Sequence, residues 1–222
     1  MCGRFTITDP LDEIMDKYAA IVSEDFNYRP NYNAAPMQYI PTVIGCSSGN
    51  RLGSLRWGLV PSWANDDKIG NKMINARAET LTEKPAFKRL VTSKRCIIPC
   101  SGFYEWQKVG SGKQPMRILM KDESIFSLAG LYDTWIDPEG NKLSTCTIIT
   151  TEPNSLMADI HNRMPVILRP QDETEWLDKD TNKDTVLGLL RPYSAEEMRA
   201  YKVDPVVGNI RNNNENLIKE VG

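Results

Sequence analysis

The sequence predicts an α+β fold, one domain over residues 1–222 with strands massed in the middle of the chain and helices outside them. Short β-branched and aromatic runs separated by turn residues follow one another between residues 39 and 151. Amphipathic helical spacing sits mostly before and after that region. The regular strand–helix alternation of a parallel α/β sheet is missing, as are GxGxxG and Walker-type glycine loops, so no phosphate-cradling turn is encoded. In order, residues 2–8 alternate as a strand, Asp9-Pro10 reads as an N-cap with proline at the first helical position, and Leu11, Ile14, Met15, Tyr18 and Ile21 follow at helical spacing. Strands are expected at 39–45, 52–59, 96–98, 103–109, 116–120, 125–131 and 144–151, with loops at 46–53 and 108–114. A helix is expected over 80–92, interrupted at Pro85, and two more at 172–178 and 184–190.

Apolar residues make up 41% and charged residues 25% of the 222, the proportions of an ordinary folded domain, which sets aside disorder, collagen and disulfide miniproteins. Lys and Arg number 27 against 29 Asp and Glu, a formal charge of -2. The chain as a whole therefore has no pull toward nucleic acid or anionic membrane, and a polyanion site must be a local basic patch. No run of ~18 apolar residues and no basic-then-apolar leader is encoded, so a cytoplasmic protein is expected, with no membrane partner. The five cysteines, Cys2, Cys46, Cys96, Cys100 and Cys146, form no CxxC pair, and reduced thiols are expected. Cys96 and Cys100 would share a metal only on a helix, which Pro99 disfavours. His161 is the single histidine, which excludes sites built on several imidazoles within one chain.

Cys2 is the first residue with chemistry of its own. A small residue at position 2 permits removal of Met1, which leaves an amine and a thiol on one carbon skeleton. Reference pKa values of about 7.7–8.0 for an α-amine and ~8.5 for a thiol leave a minority of the amine free near neutrality. Such an aminothiol captures aldehydes, the amine condensing to an imine and the thiol closing a thiazolidine ring. Taken alone, Cys2 reads better as one more small apolar residue on an edge strand. His161 stands in a polar cluster, His161-Asn162-Arg163, that runs into the apolar stretch 164–168, and histidine is the natural proton carrier near neutral pH. Glu105 alternates against Tyr104 and Trp106. Facing inward it suits proton transfer; facing water it is an ordinary solvated carboxylate.

Asn75, Arg77 and Glu79 are spaced by two, so an extended segment turns all three to one side, whereas a helix start would pair them locally. Asn75 can orient an amine or a sugar and Arg77 offers a fork for phosphate. Trp57 is expected in the core and Trp63, in a polar turn, partly exposed as a stacking platform. Arg4, Arg77 and Arg163 are the candidates for a local phosphate patch.

Seven segments in order, Met1-Cys2-Gly3-Arg4-Phe5, Tyr32-Asn33-Ala34-Ala35-Pro36, Trp57-Gly58-Leu59-Val60-Pro61, Asn75-Ala76-Arg77-Ala78-Glu79-Thr80, Arg95-Cys96-Ile97-Ile98-Pro99, Gly102-Phe103-Tyr104-Glu105-Trp106 and His161-Asn162-Arg163-Met164-Pro165-Val166, resemble the motifs of the SOS response-associated peptidase (SRAP) family. They span residues 1–169, and 170–222 carry only helices and a tail. The resemblance implies a curved, mainly antiparallel, barrel-like sheet and a monomer whose partner is single-stranded DNA containing abasic sites. It implies a covalent thiazolidine crosslink through Cys2, with Cys2, Asn75, Glu105 and His161 catalytic and Arg4, Asn33, Pro36, Trp63, Arg77 and Arg163 in contact with DNA. It calls for no metal and no cofactor. It also implies a minor lyase activity, since an imine that fails to cyclise can proceed to strand scission. Ser101, Ala64 and Met37 depart from the family's usual residues. The rival readings are a thiol peptidase, with Cys2 as nucleophile and His161 as base acting on the bond after Met1, and a non-covalent single-strand-binding module.

Overall fold

The computed structural model describes residues 2–24 and 26–222. Met1, whose removal the aminothiol chemistry requires, lies outside the described residues. In chain order the strands are β1 (Phe5–Ile7), β2 (Ala20–Val22), β3 (Asn31–Ala34), β4 (Tyr39–Cys46), β5 (Gly49–Trp57), β6 (Asn75–Arg77), β7 (Arg95–Cys100), β8 (Gly102–Val109), β9 (Gly112–Met120), β10 (Phe126–Ile136), β11 (Lys142–Thr151), β12 (Met164–Pro165), β13 (Ile167–Leu168) and β14 (Met198–Lys202).

β5 lies antiparallel to β4, β4 to β7, β7 to β10 and β10 to β11. β11 then returns to β5 in parallel, through Thr145↔Arg56 and Cys146↔Trp57. Five strands thus close into a barrel, and the expected α+β fold with a curved, mainly antiparallel core is what forms. Close strand approach is built in at Gly130, which faces Cys96 on one side and Ile148 on the other. A Cβ there would stand 2.4 Å from Ile98 Cδ1 and 3.0 Å from Cys96 Sγ, so only glycine fits. β7 is buried along its whole length and β10 along most of it. With both faces covered, these strands read as continuous apolar runs instead of alternating ones.

The second sheet has the order β14-β9-β8-β1-β3. β1 is interior to it, with Phe5 opposite Phe103 of β8 and Ala34 of β3. Phe5 meets Trp57 of the barrel edge-on, ring centroids 5.3 Å apart. Alternation along β8 sends Phe103 into the main core, while Tyr104 and Trp106 join Leu119, Tyr201, Val203, Val207 and Leu217 in a smaller cluster on the opposite face. Residues 203–218 close over that cluster as a strap. The Tyr201 hydroxyl donates to the Ile218 carbonyl at 2.7 Å and the Tyr104 hydroxyl to the Tyr32 carbonyl at 2.9 Å. Asn33, 1% exposed, pins the strap: its Nδ2 is shared among the carbonyls of Val207, Asn209 and Asn212 at 3.1, 3.1 and 2.9 Å. Its Oδ1 accepts from Arg4 at 2.8 Å.

Several local expectations give way to tertiary context. The helix Leu11–Tyr18 buries Ile14 and Tyr18 and stops where Ala19 turns left-handed at φ 44°, so Ile21 leaves its face and lies 67% exposed on β2 beside β5. The supposed loops at 46–53 and 108–114 are tight hairpins, β4 running to Cys46 and β5 starting at Gly49, β8 reaching Val109 and β9 starting at Gly112. Of the helix expected over 80–92, only Leu90–Ser93 forms. Pro85 breaks the hydrogen-bond ladder, and Leu81, Phe87, Leu90 and Val91 reach the core from successive turns. The helices Glu173–Leu177 and Lys183–Gly188 fall where periodicity set them.

Asn33→Ala should leave the Asn212 carbonyl and one Arg4 N–H without their partners and take one of two donors from the Val207 and Asn209 carbonyls, at a cost of about 1–3 kcal/mol. Urea unfolding checks this, and limited proteolysis should show first cleavage moving into residues 203–218. An unchanged midpoint with an intact strap would contradict the assignment.

Candidate active site

The site begins at the point where the chain enters the second sheet. The Tyr104 N–H donates to the Arg4 carbonyl at 3.0 Å, and continuing the β1–β8 register toward the N-terminus sets Gly3 against Glu105. Cys2 is fully buried and Glu105 is 3% exposed. Burial first, and the neighbouring Glu105 carboxylate second, push the Cys2 thiol well above the usual thiol range, against a backbone N–H from Arg4 that favours the thiolate. The thiol therefore stays protonated through the neutral range.

Asn75 arrives on β6, which runs parallel to β11 with Asn75 opposite Ile148 and Arg77 opposite Thr150. Its position is tied to β1 through Trp57, which touches Phe5 and donates from Nε1 to the Ile74 carbonyl at 2.8 Å. Ala76 faces the core, 1% exposed. The Asn75 Nδ2 makes a long 3.5 Å contact with the Ile148 carbonyl, and its buried Oδ1 has no hydrogen-bond partner among the described residues. A buried acceptor of this kind is costly unless a donor reaches it.

His161 follows the short helix Ser155–Ala158, its N–H donating to the Met157 carbonyl at 2.8 Å. His161 Nδ1 sits over the Arg163 backbone, 3.0 Å from the N–H, which donates to it, and 3.2 Å from the carbonyl oxygen. This loop is fastened to the Glu105 strand, because Gln107 donates to the Asp159 carbonyl at 3.0 Å. The fold thus sets Cys2 beside Glu105 and ties the segments that carry Asn75 and His161 to the same pair of strands, one through Trp57 and the other through Gln107.

Among the arginines, Arg77 is exposed at the end of β6. Arg163 holds Glu79 in a bidentate pair, at 2.8 and 3.0 Å, and donates to the Thr150 carbonyl at 2.7 Å. This pair links residues 84 apart in sequence. Glu79 follows β6 into a 3-10 turn, Ala78–Thr80, so only Asn75 and Arg77 share the extended face. Arg4 points away from Cys2 and donates to the Asn33 side chain and to the carbonyls of Val207 and Gly208. Pro36 begins the turn in which Gln38 N–H donates to the Ala35 carbonyl. Trp63 is 58% exposed but sits apart: Ser62 donates to Asp133 on β10, whereas Cys100, within electrostatic reach of Cys2, pairs with Phe126. That separation along β10 is about 23 Å at ~3.3 Å per residue.

The family model for SOS response associated peptidases (SRAP) matches residues 1–210. The chain belongs to the SRAP family. Among its relatives, the abasic site processing protein YoqW of Bacillus subtilis (strain 168) is 53% identical over 222 residues, with 99% of each chain covered. The abasic site processing protein HMCES of Xenopus tropicalis is 35% identical over 258 residues, covering 96% of this chain and 76% of that protein. A crystal structure of a Bacteroides thetaiotaomicron protein matches with a TM-score of 0.90 at 29% identity, over 99% of this chain and 100% of that one. The SRAP match extends past the last sequence motif into the strap, whose anchors Asn33 and Arg4 were legible only as motif residues. Glu79 and Gln107 gave no sequence signal of their positioning contacts, since both partners are remote in the chain. Among the described residues no cluster of His, Cys, Asp and Glu is arranged to hold a metal, and no helix is long and apolar enough to cross a membrane.

Thiol reactivity should follow this burial. Iodoacetamide at pH 8 should label half-buried Cys46 first, with Cys2, Cys96, Cys100 and Cys146 protected until denaturation, Cys146 being pushed up to about 12 by burial. Peptide mapping that found Cys2 labelled as fast as Cys46 would contradict the buried, protonated thiol.

Proposed function

We propose that this SRAP protein processes abasic sites in DNA, capturing the lesion aldehyde in single strands through Cys2 once Met1 is gone. The observation that carries the reading is a cysteine at position 2 that is fully buried against Glu105, in a chain whose relatives are named for abasic-site processing. The N-terminal amine attacks the open-chain C1 aldehyde of the deoxyribose and one water leaves as the imine forms. The Cys2 sulfur then adds to the imine carbon while the thiol proton passes to nitrogen, closing a thiazolidine. Glu105 and the His161 imidazole are the groups available to open the sugar ring and move these protons. Asn75 Oδ1, buried and without a donor among the described residues, is suited to accept from the amine. Arg77 and Arg163 supply the local phosphate contacts that the net charge does not.

The protonated thiol favours this order of events over a peptidase. Cleaving an amide by thiol attack requires a thiolate, and burial opposes it. Aldehyde capture starts at the amine, and the sulfur acts only on an activated imine one ring away. An uncyclised imine remains open to β-elimination, so a minor lyase activity accompanies the capture.

Denaturing gels with single-stranded DNA carrying one abasic site test the reading. Wild type should give a covalent band without reductant, absent with an intact strand. Cys2→Ala should give a band only with borohydride, together with more strand scission, and Glu105→Gln should slow capture by about 100-fold or more. No band from protein whose mass lacks Met1 would overturn the proposal. The capture rate should also rise with pH and level off at about 8 as the amine titrates; a rate still climbing well above pH 9 would instead mean that the thiolate is limiting.

A further inference from the structure

We propose that Glu79 is a built-in stand-in for a DNA phosphate: its carboxylate occupies the Arg163 fork in the free protein and must be displaced when a strand binds. The inference rests on the DNA reading above. The Glu79 carboxylate oxygens lie 2.8 and 3.0 Å from the two terminal nitrogens of Arg163, the fork-to-fork geometry that a phosphate also satisfies. The two partners differ in mobility. Arg163 is fixed from behind by the Thr150 carbonyl at 2.7 Å, and its side chain is 16% exposed, whereas that of Glu79 is 49% exposed. Exchange therefore requires only that Glu79 swing away. It lines an open cleft of about 420 Å³, into which it can swing, together with Glu152 and with Arg191, which Asp172 holds at 3.5 Å. Arg77 is close enough to act on Glu79 electrostatically, so the carboxylate that holds Arg163 also lies in the field of the second arginine. Because the Arg163 N–H also holds His161 Nδ1, the same contact keeps the imidazole aligned while no DNA is present. The consequence is specificity: intact strands bind weakly because the phosphate that takes the Arg163 fork must first evict Glu79, and capture of an aldehyde makes the exchange permanent.

The test is fluorescence anisotropy with an intact single-stranded oligonucleotide over a salt series, comparing wild type with Glu79→Gln, Glu79→Ala and Arg163→Gln, each checked for an unchanged melting temperature. Wild type is assayed in parallel for the covalent band on abasic DNA. Both Glu79 variants should bind the intact strand about 3- to 10-fold more tightly, and their log K against log salt slopes should steepen by about 0.7, one more net phosphate contact. The gain should vanish when Arg163→Gln is combined with either. Equal or weaker binding by the Glu79 variants, with wild type still binding and crosslinking, would overturn the stand-in alone. A wild type that neither binds single strands nor forms the band would overturn the DNA reading and this inference together.

Discussion

The structure depends on β1 being an interior strand. The first residues of a chain are ordinarily among its least ordered, yet here Phe5 is paired to β8 on one side and β3 on the other and locked against Trp57. That pairing draws the N-terminus into the core and buries Cys2 completely. β3 is held in turn by the strap, because Asn33 and Arg4 share the carbonyls of residues 207–212. The two ends of the chain thus stabilise each other around the residue proposed to do the chemistry.

Burial sets the electrostatics of the site. A thiol with no solvent and a carboxylate beside it stays protonated, which would disable a thiolate enzyme but suits an aminothiol whose amine acts first. The buried acceptor Asn75 Oδ1 and the placement of the His161 ring follow from backbone contacts, at Ile148 and Arg163, and are set before any ligand arrives. A chain of formal charge -2 can meet a polyanion only where cations are gathered, and Arg77 and Arg163 are gathered at Thr150 by the β6–β11 pairing and the Thr150 carbonyl. Glu79 tempers that patch.

Much of this was legible in the sequence. The strands at the barrel and along β8 stand out because β-branched runs and alternation are local properties. The phase of Glu105 against Tyr104 and Trp106 is legible, but its burial is not, because both faces of β8 are covered, Phe103 in the main core and Tyr104 in the smaller cluster. What escaped depends on remote partners. β14 and the strap are ordered by Tyr104, Tyr201 and Asn33, residues far upstream or on other strands. Asn33 and Arg4 look like surface polar residues until the tail covers them, and Glu79 looks like a local partner of Arg77 until β6 ends and the chain turns it to Arg163. The helix over 80–92 failed because Pro85 and a run of core-directed apolar residues outweighed helical spacing.

Tandem mass spectrometry of the digested adduct with abasic single-stranded DNA tests the central claim most directly. The account predicts an N-terminal peptide beginning at Cys2 that carries the deoxyribose remnant less one water, with the Cys2 thiol resistant to iodoacetamide after denaturation because sulfur and nitrogen are both in the ring. A remnant on a lysine, or on a peptide that still begins with Met1, would contradict it.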